Sequence, residues 1–146
     1  MSDDAVGIVL AGGRSTRLAT LSTGPGGKAA VVFRGEALLT RVCRAVATGA
    51  PRVIVVAAPG QPLPPLTAGA EVIRDSRVAA GPLAALEDGL EHALRAARPP
   101  RWAFVASCDV PLLEPAVVDL LLGIARSSTA RFVVPVIADH PQVLAA

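Results

Sequence analysis

Four short stretches of the chain carry residue types suited to handling phosphate. In "LAGGRSTR", Leu10 to Arg17, a glycine pair follows an apolar run, and two arginines flank two hydroxyls. Gly12 and Gly13 permit positive φ and let backbone N–H groups gather around an anion. Arg14 and Arg17 add fixed charge, and Ser15 and Thr16 add donors. The plain alternative is a glycine turn with solvated arginines. The stretch is not a dinucleotide fingerprint, because G-x-G-x-x-G is absent. Nor is "STGPGGKAA" a Walker loop, since Ala29 stands where Ser or Thr would hold magnesium. Lys28, in that second stretch, is the only lysine in a chain with thirteen arginines. A chain that writes its surface charge as Arg has kept one compact ammonium, a good point contact for phosphate, in a Gly-rich loop.

The other two stretches carry carboxylates. Asp109 in "SCDVPLL" directly follows an apolar run, and Pro111 stiffens the turn behind it. A carboxylate there suits a divalent cation that bridges phosphates; a turn or helix-cap role is the alternative. Asp75 has the same ambiguity, and the segment from Asp75 to Leu83 leads into a helix N-terminus suited to anions. His92 and His140 read as structural or solvated.

These residues need elements to hold them. Apolar runs predict strands at Val6 to Ala11, Arg52 to Ala58, Ala70 to Asp75, Arg101 to Ser107 and Arg131 to Ile137. Helical periodicity predicts a helix in "ALLTRVCRAVATG" with Leu38, Val42, Ala45, Val46 and Gly49 on one face. A second helix starts at Pro82 and spaces Leu83, Leu86, Leu90 and Leu94 along one face. A third runs from Glu114 to Arg126, opened by Pro115. The proline-rich Pro59 to Leu66 excludes a regular helix there. Strands apolar on both faces, separated by amphipathic helices, predict an α/β layered fold with a mostly parallel sheet. Ligands bind such sheets beyond the carboxyl ends of the strands, here after Leu10, Ala57, Ile73, Ser107 and Ile137.

Composition narrows the functional classes. The chain has 146 residues, 52% hydrophobic and 18% charged, enough for one domain with a sizeable core. A net charge of +2 with no basic run gives no case for a nucleic-acid or membrane surface. The acidic start "MSDD" lacks the layout of a signal peptide. Cys43 and Cys108 have no metal-ligand spacing, and such sparse use suits a reducing, cytoplasmic setting.

Taken in order, "LAGGRSTR", the loop lysine, "RDSRVAAGPLAAL" and "SCDVPLL" resemble the MobA-like nucleotidyltransferases, and among them the molybdenum cofactor guanylyltransferases. The resemblance covers essentially the whole chain, down to "VVPVIADHPQVLA". It implies a Rossmann-like three-layer sandwich of the nucleotide-diphospho-sugar transferase type. It also implies that Leu10, Ala11, Gly12, Gly13 and Lys28 contact GTP, that Asp75 and Gly81 lie at the nucleotide, and that Asp109 binds nucleotide and Mg²⁺. Several positions depart from the family pattern. Gly27 replaces the usual Asp before the lysine, Leu18-Ala19 replaces a Met-Gly, and Ala85 ends the G-P-L-A-G element. Ala57 and Ala58 stand where the guanylyltransferases often have Asn. The chain stops at Ala146, before the C-terminal segment of full-length members, so it reads as one nucleotidyltransferase domain, either a fragment or a reduced homologue.

The implied reaction moves GMP from GTP to molybdopterin. The acceptor's terminal phosphate attacks the α-phosphorus in line and pyrophosphate leaves. Arg17 and Arg14 would hold the outer phosphates with the loop amides, Lys28 would stabilise the leaving pyrophosphate or the α-phosphate charge, and Asp109 would anchor the Mg²⁺. A CMP or GMP transferase for another phosphorylated acceptor, a non-catalytic nucleotide-binding protein and a partner-binding domain remain as alternatives.

Overall fold

A computed structural model describes residues 4–13, 24–77 and 80–142. Its centre is a parallel sheet of β1 (Ala5–Leu10), β4 (Arg52–Ala57), β5 (Ala70–Arg74) and β6 (Trp102–Ser107), in the order β5-β4-β1-β6. Between β1 and β4 the chain makes a 3-10 turn (Gly27–Ala30), a small hairpin of β2 (Val32–Phe33) and β3 (Glu36–Ala37), and helix α1 (Leu38–Gly49). Helix α2 (Pro82–Leu94) joins β5 to β6, and α3 (Pro115–Ser127) follows β6. Both α2 and α3 open on proline, whose missing N–H costs nothing at a first helical position. None of the helices among the described residues is long and apolar enough to cross a membrane.

The strands alternate their side chains between two cores, as the period of two requires. Val9, Val53 and Val55 pack with Leu39, Val42 and Val46 of α1 and with Val118 and Leu122 of α3. Val6, Ile8, Ile54 and Val56 face the other way, onto Ala85 and Ala93 of α2. The result is a three-layer α/β sandwich, with every residue of β1 buried. The strand order reverses at β1, so the ends of β1 and β6 lie side by side at the switch point where such sheets take ligands.

Two expectations need correction. The leucine stripe of α2 is not its core face: Leu83 is 76% and Leu94 59% exposed, and Leu90 is exposed too, while only Leu86 packs inward. The helix buries Ala84, Ala85, Gly89 and Ala93 instead. It lies so close to the sheet that a Cβ on Gly89 would sit 2.9 Å from Ile8 Cγ2 and 3.2 Å from Val56 Cγ2. A leucine face does not fit a gap that small. The second correction concerns Arg131 to Ile137. Only Val136–Ile137 (β7) is strand, and it pairs with His140–Pro141 (β8) in a separate hairpin rather than joining the sheet.

At the amino edge of the sheet, Glu71 accepts from Arg52 Nε at 2.6 Å and lies 2.8 Å from His92 Nε2. The Arg52 hydrogen bond, then that of His92, holds the Glu71 carboxyl down at about 2. A depressed carboxyl stabilises the fold above its ordinary value of 4.5, and that contribution is lost as pH falls towards about 2. The stability advantage of the wild type over Glu71→Gln should therefore be constant near neutrality and vanish across that window. Thermal melts of both proteins at stepped pH check this.

Candidate functional site

The end of β1 is pressed against β4. Ala11 and Gly12 both direct their N–H groups at Val56 O, at 2.8 and 3.3 Å. A Cβ on Gly12 would come within 3.2 Å of Ala58 N, so the close approach of two backbones favours glycine there. The positive φ falls on Gly13, at +115° and beside open space, and not on Gly12. This corrects two expectations. Gly12 is needed for contact rather than for left-handed backbone, and the amides of Ala11 and Gly12 are committed to β4. Among the described residues of this stretch, the exposed Gly13 is the part open to a visitor. Arg14, Ser15, Thr16 and Arg17 lie outside the described residues.

Beside this loop the structure brings together the two residues far apart in sequence that chemistry singled out. Lys28 Nζ lies 3.0 Å from Asp109 Oδ2. The lysine side chain is only 11% exposed and the carboxylate 22%, so this is a sheltered ion pair and neither a solvated lysine nor a helix cap. Local structure explains both placements. Ala29 is fully buried in the core beside α1, which anchors the 3-10 turn and holds its neighbour Lys28 inward. On the other side, Cys108 N donates to Leu10 O at 3.0 Å, which extends the β1–β6 ladder and delivers Asp109 at the switch point. Burial pushes the Asp109 carboxyl up. The Ser107 hydroxyl nearby, the hydrogen bond from Lys28 and its ammonium charge outweigh it and hold the group below its usual range. It is ionised at neutral pH.

One atom is left over. Asp109 Oδ1 is buried without a hydrogen-bond partner among the described residues. An orphaned carboxylate oxygen is costly unless something cationic or donating comes to it. No cluster of three or more His, Cys, Asp or Glu exists among the described residues to enclose a metal. A cation on Asp109 would therefore take its remaining ligands from phosphate oxygens and water, the usual habit of Mg²⁺. The residues fit such an ion. Cys108 is no competitor, since burial pushes its thiol up to about 11.

Other expected residues sit apart from this pair. Asp75 Oδ1 accepts the Arg77 N–H at 2.9 Å, a turn-forming role. Gly81, with φ +88°, precedes the first turn of α2 in an exposed position. His92 belongs to the Glu71 network at the opposite sheet edge, and His140 to the exposed terminal hairpin. Two supporting residues went unnoticed in the sequence. Arg41 of α1 donates from Nε to Pro111 O at 2.6 Å and pins the turn behind Asp109. Gln61 joins the β1 loop to the Lys28 loop through its side-chain amide. The A-P-G-Q signature of a type II turn was the available cue for Gln61; Arg41 had none.

Comparison with known proteins places the chain in a family. The family profile described as "MobA-like NTP transferase domain" matches residues 7–146. A probable molybdenum cofactor guanylyltransferase of Mycobacterium avium strain 104 is 41% identical over 133 residues, covering 88% of this chain and 61% of that protein. The chain thus spans about three-fifths of the length of the curated relatives it matches. Among solved structures, a hypothetical transferase from Thermus thermophilus superposes with a TM-score of 0.59 at 29% identity, covering 82% of this chain and 46% of that one. The manganese complex of Rv0371C from Mycobacterium tuberculosis has the same fold, with a TM-score of 0.56 at 18% identity over 88% of this chain and 62% of that one. The chain belongs to the MobA-like NTP transferase family.

Proposed function

We propose that this chain carries the nucleotide-handling site of a molybdenum cofactor guanylyltransferase, moving GMP from GTP to molybdopterin with release of pyrophosphate. The observation that supports this most is the sheltered Lys28–Asp109 pair beside the glycine loop, with one carboxylate oxygen unsatisfied. In this reading the pair keeps both groups in place until nucleotide arrives. Asp109 would then hold Mg²⁺, and Lys28 would turn to the leaving phosphates. The ion, when bound, neutralises phosphate charge and orients the triphosphate. The protein's own work is positioning: Gly13 admits the phosphates, and Arg14 and Arg17 follow it in the chain as further cationic contacts. Asp75 and Gly81 line the nucleotide from the β5–α2 side. The attacking phosphate is already ionised, so no side chain need act as general base.

Incubation with α-labelled GTP and molybdopterin tests the reading, with CTP and ATP as comparators. Label should pass from GTP to molybdopterin as pyrophosphate appears; GTP binding without pyrophosphate release contradicts it. The glycine loop gives a second check. Gly12→Val puts a branched side chain against Ala58 N and forces the β1 end away from β4. GTP affinity should fall about tenfold or more by calorimetry, with roughly 1–3 kcal/mol of stability lost to overpacking. A folded Gly12→Val protein with unchanged affinity would remove this loop from the site.

A further inference from the structure

The segment Ala58 to Gln61 is a tight turn: Gln61 N donates to Ala58 O at 3.1 Å, with Pro59 second and Gly60 third at φ +70°. That is the backbone of a type II turn, with proline and glycine where each is favoured. The turn folds the Gln61 side chain back over the carboxyl ends of the strands. Its Oε1 accepts the Ala58 N–H at 3.0 Å. Its Nε2 donates to Ala11 O and to Gly26 O, both at 3.1 Å. The amide thus spends both donors on carbonyls from two different loops and its oxygen on a third segment. Arg74 braces the turn by donating to Ala58 O at 3.0 Å and Gln61 O at 2.8 Å.

Gly26 is the last residue before the 3-10 turn that carries Lys28. It has no slack: a Cβ there would lie 2.6 Å from Ala30 Cβ and 3.3 Å from Pro62 O. Ala11, for its part, is the first residue beyond β1. One side chain therefore ties the lysine loop to the glycine loop at a fixed spacing. Few residues have the required chemistry. Glutamate cannot donate, lysine and arginine cannot accept, and asparagine is one methylene shorter.

We propose that Gln61 is a positioning residue that sets the reach of Lys28 to Asp109 by locking the two loops together. Its consequence for transfer rests on the nucleotidyltransferase reading above; its effect on the ion pair does not. Because Lys28 is the chain's only lysine, protein grown with lysine isotopically labelled at Cε gives one lysine resonance, which reports this pair without any activity. Asp109→Asn marks where that resonance goes when the charge pair is lost. Gln61→Met keeps the side-chain length and removes the amide, and Gln61→Glu keeps the acceptor and removes the donors. Both should move the Lys28 resonance towards the Asp109→Asn position. If Gln61→Met does not fold, Gln61→Glu carries the test alone. In a wild type that transfers GMP, each variant should lower kcat about tenfold with little change in KM for GTP, the mark of a misplaced transition-state contact. Gln61→Met combined with Lys28→Ala should be no slower than Lys28→Ala alone, since one acts through the other. A Lys28 resonance unmoved in a folded Gln61 variant overturns the proposal, as does a double variant in which the two losses multiply. If the wild type transfers nothing, the functional reading fails while the resonance still decides the role of Gln61.

Discussion

Asp109→Asn is expected to slow nucleotidyl transfer by about a hundredfold or more, on the order of 3 kcal/mol of barrier. The carboxylate sits at the end of β6, beside the end of β1, on the edge of the sheet that presents Gly13. A bare carboxylate facing a triphosphate would repel it, so the position makes physical sense with a cation between them. Asparagine keeps the shape and can still accept from Lys28, but it cannot hold the ion. The fold should survive the change, because asparagine fills the same space, although the ion pair that holds Asp109 ionised is lost. The melting temperature should fall only modestly. A purely turn-forming aspartate predicts the reverse: lost stability with transfer intact. Steady-state rates and thermal melts of the same preparation separate the two.

Lys28→Ala should lower turnover at least tenfold, roughly the loss of one charge-assisted phosphate contact of about 1.5–3 kcal/mol. The ion pair adds a second, sharper expectation. Without the ammonium, the upward push of burial on Asp109 is opposed mainly by Ser107. Its carboxyl then rises, so the acid limb of the pH–rate profile should move to higher pH in Lys28→Ala. Lys28→Arg should not restore the wild type, since a planar guanidinium does not fit a sheltered space that holds a compact ammonium at 3.0 Å. Wild-type turnover in Lys28→Ala, or an unmoved acid limb, would return Lys28 to a structural role.

Much of this site was legible before any coordinates. A buried strand running into two glycines, a lone lysine among arginines and an aspartate closing an apolar run were local signals, and parallel-sheet topology put them on one edge. What the sequence did not disclose was distance. The periodicity of α2 marked Leu83, Leu90 and Leu94 as an apolar stripe, but which stripe faces the sheet depends on how closely the helix lies. Gly89 over Ile8 decides that, and it is invisible in a pattern of hydrophobicity. The run Arg131 to Ile137 has the composition of a strand, yet composition does not say whether a sheet edge takes it up; here most of it does not pair. Gln61 was hidden for another reason. Its importance lies in bonds to Ala11 and Gly26, backbone atoms whose positions no side-chain pattern announces.

The most direct measurement is a calorimetric titration of GTP into the wild type and Asp109→Asn, each with and without Mg²⁺. The wild type should bind GTP more tightly when Mg²⁺ is present, and Asp109→Asn should bind it equally with and without the ion. A wild type whose affinity ignores Mg²⁺, or an Asp109→Asn protein that keeps the full enhancement, would contradict the assignment of Asp109 as the residue that joins metal to nucleotide.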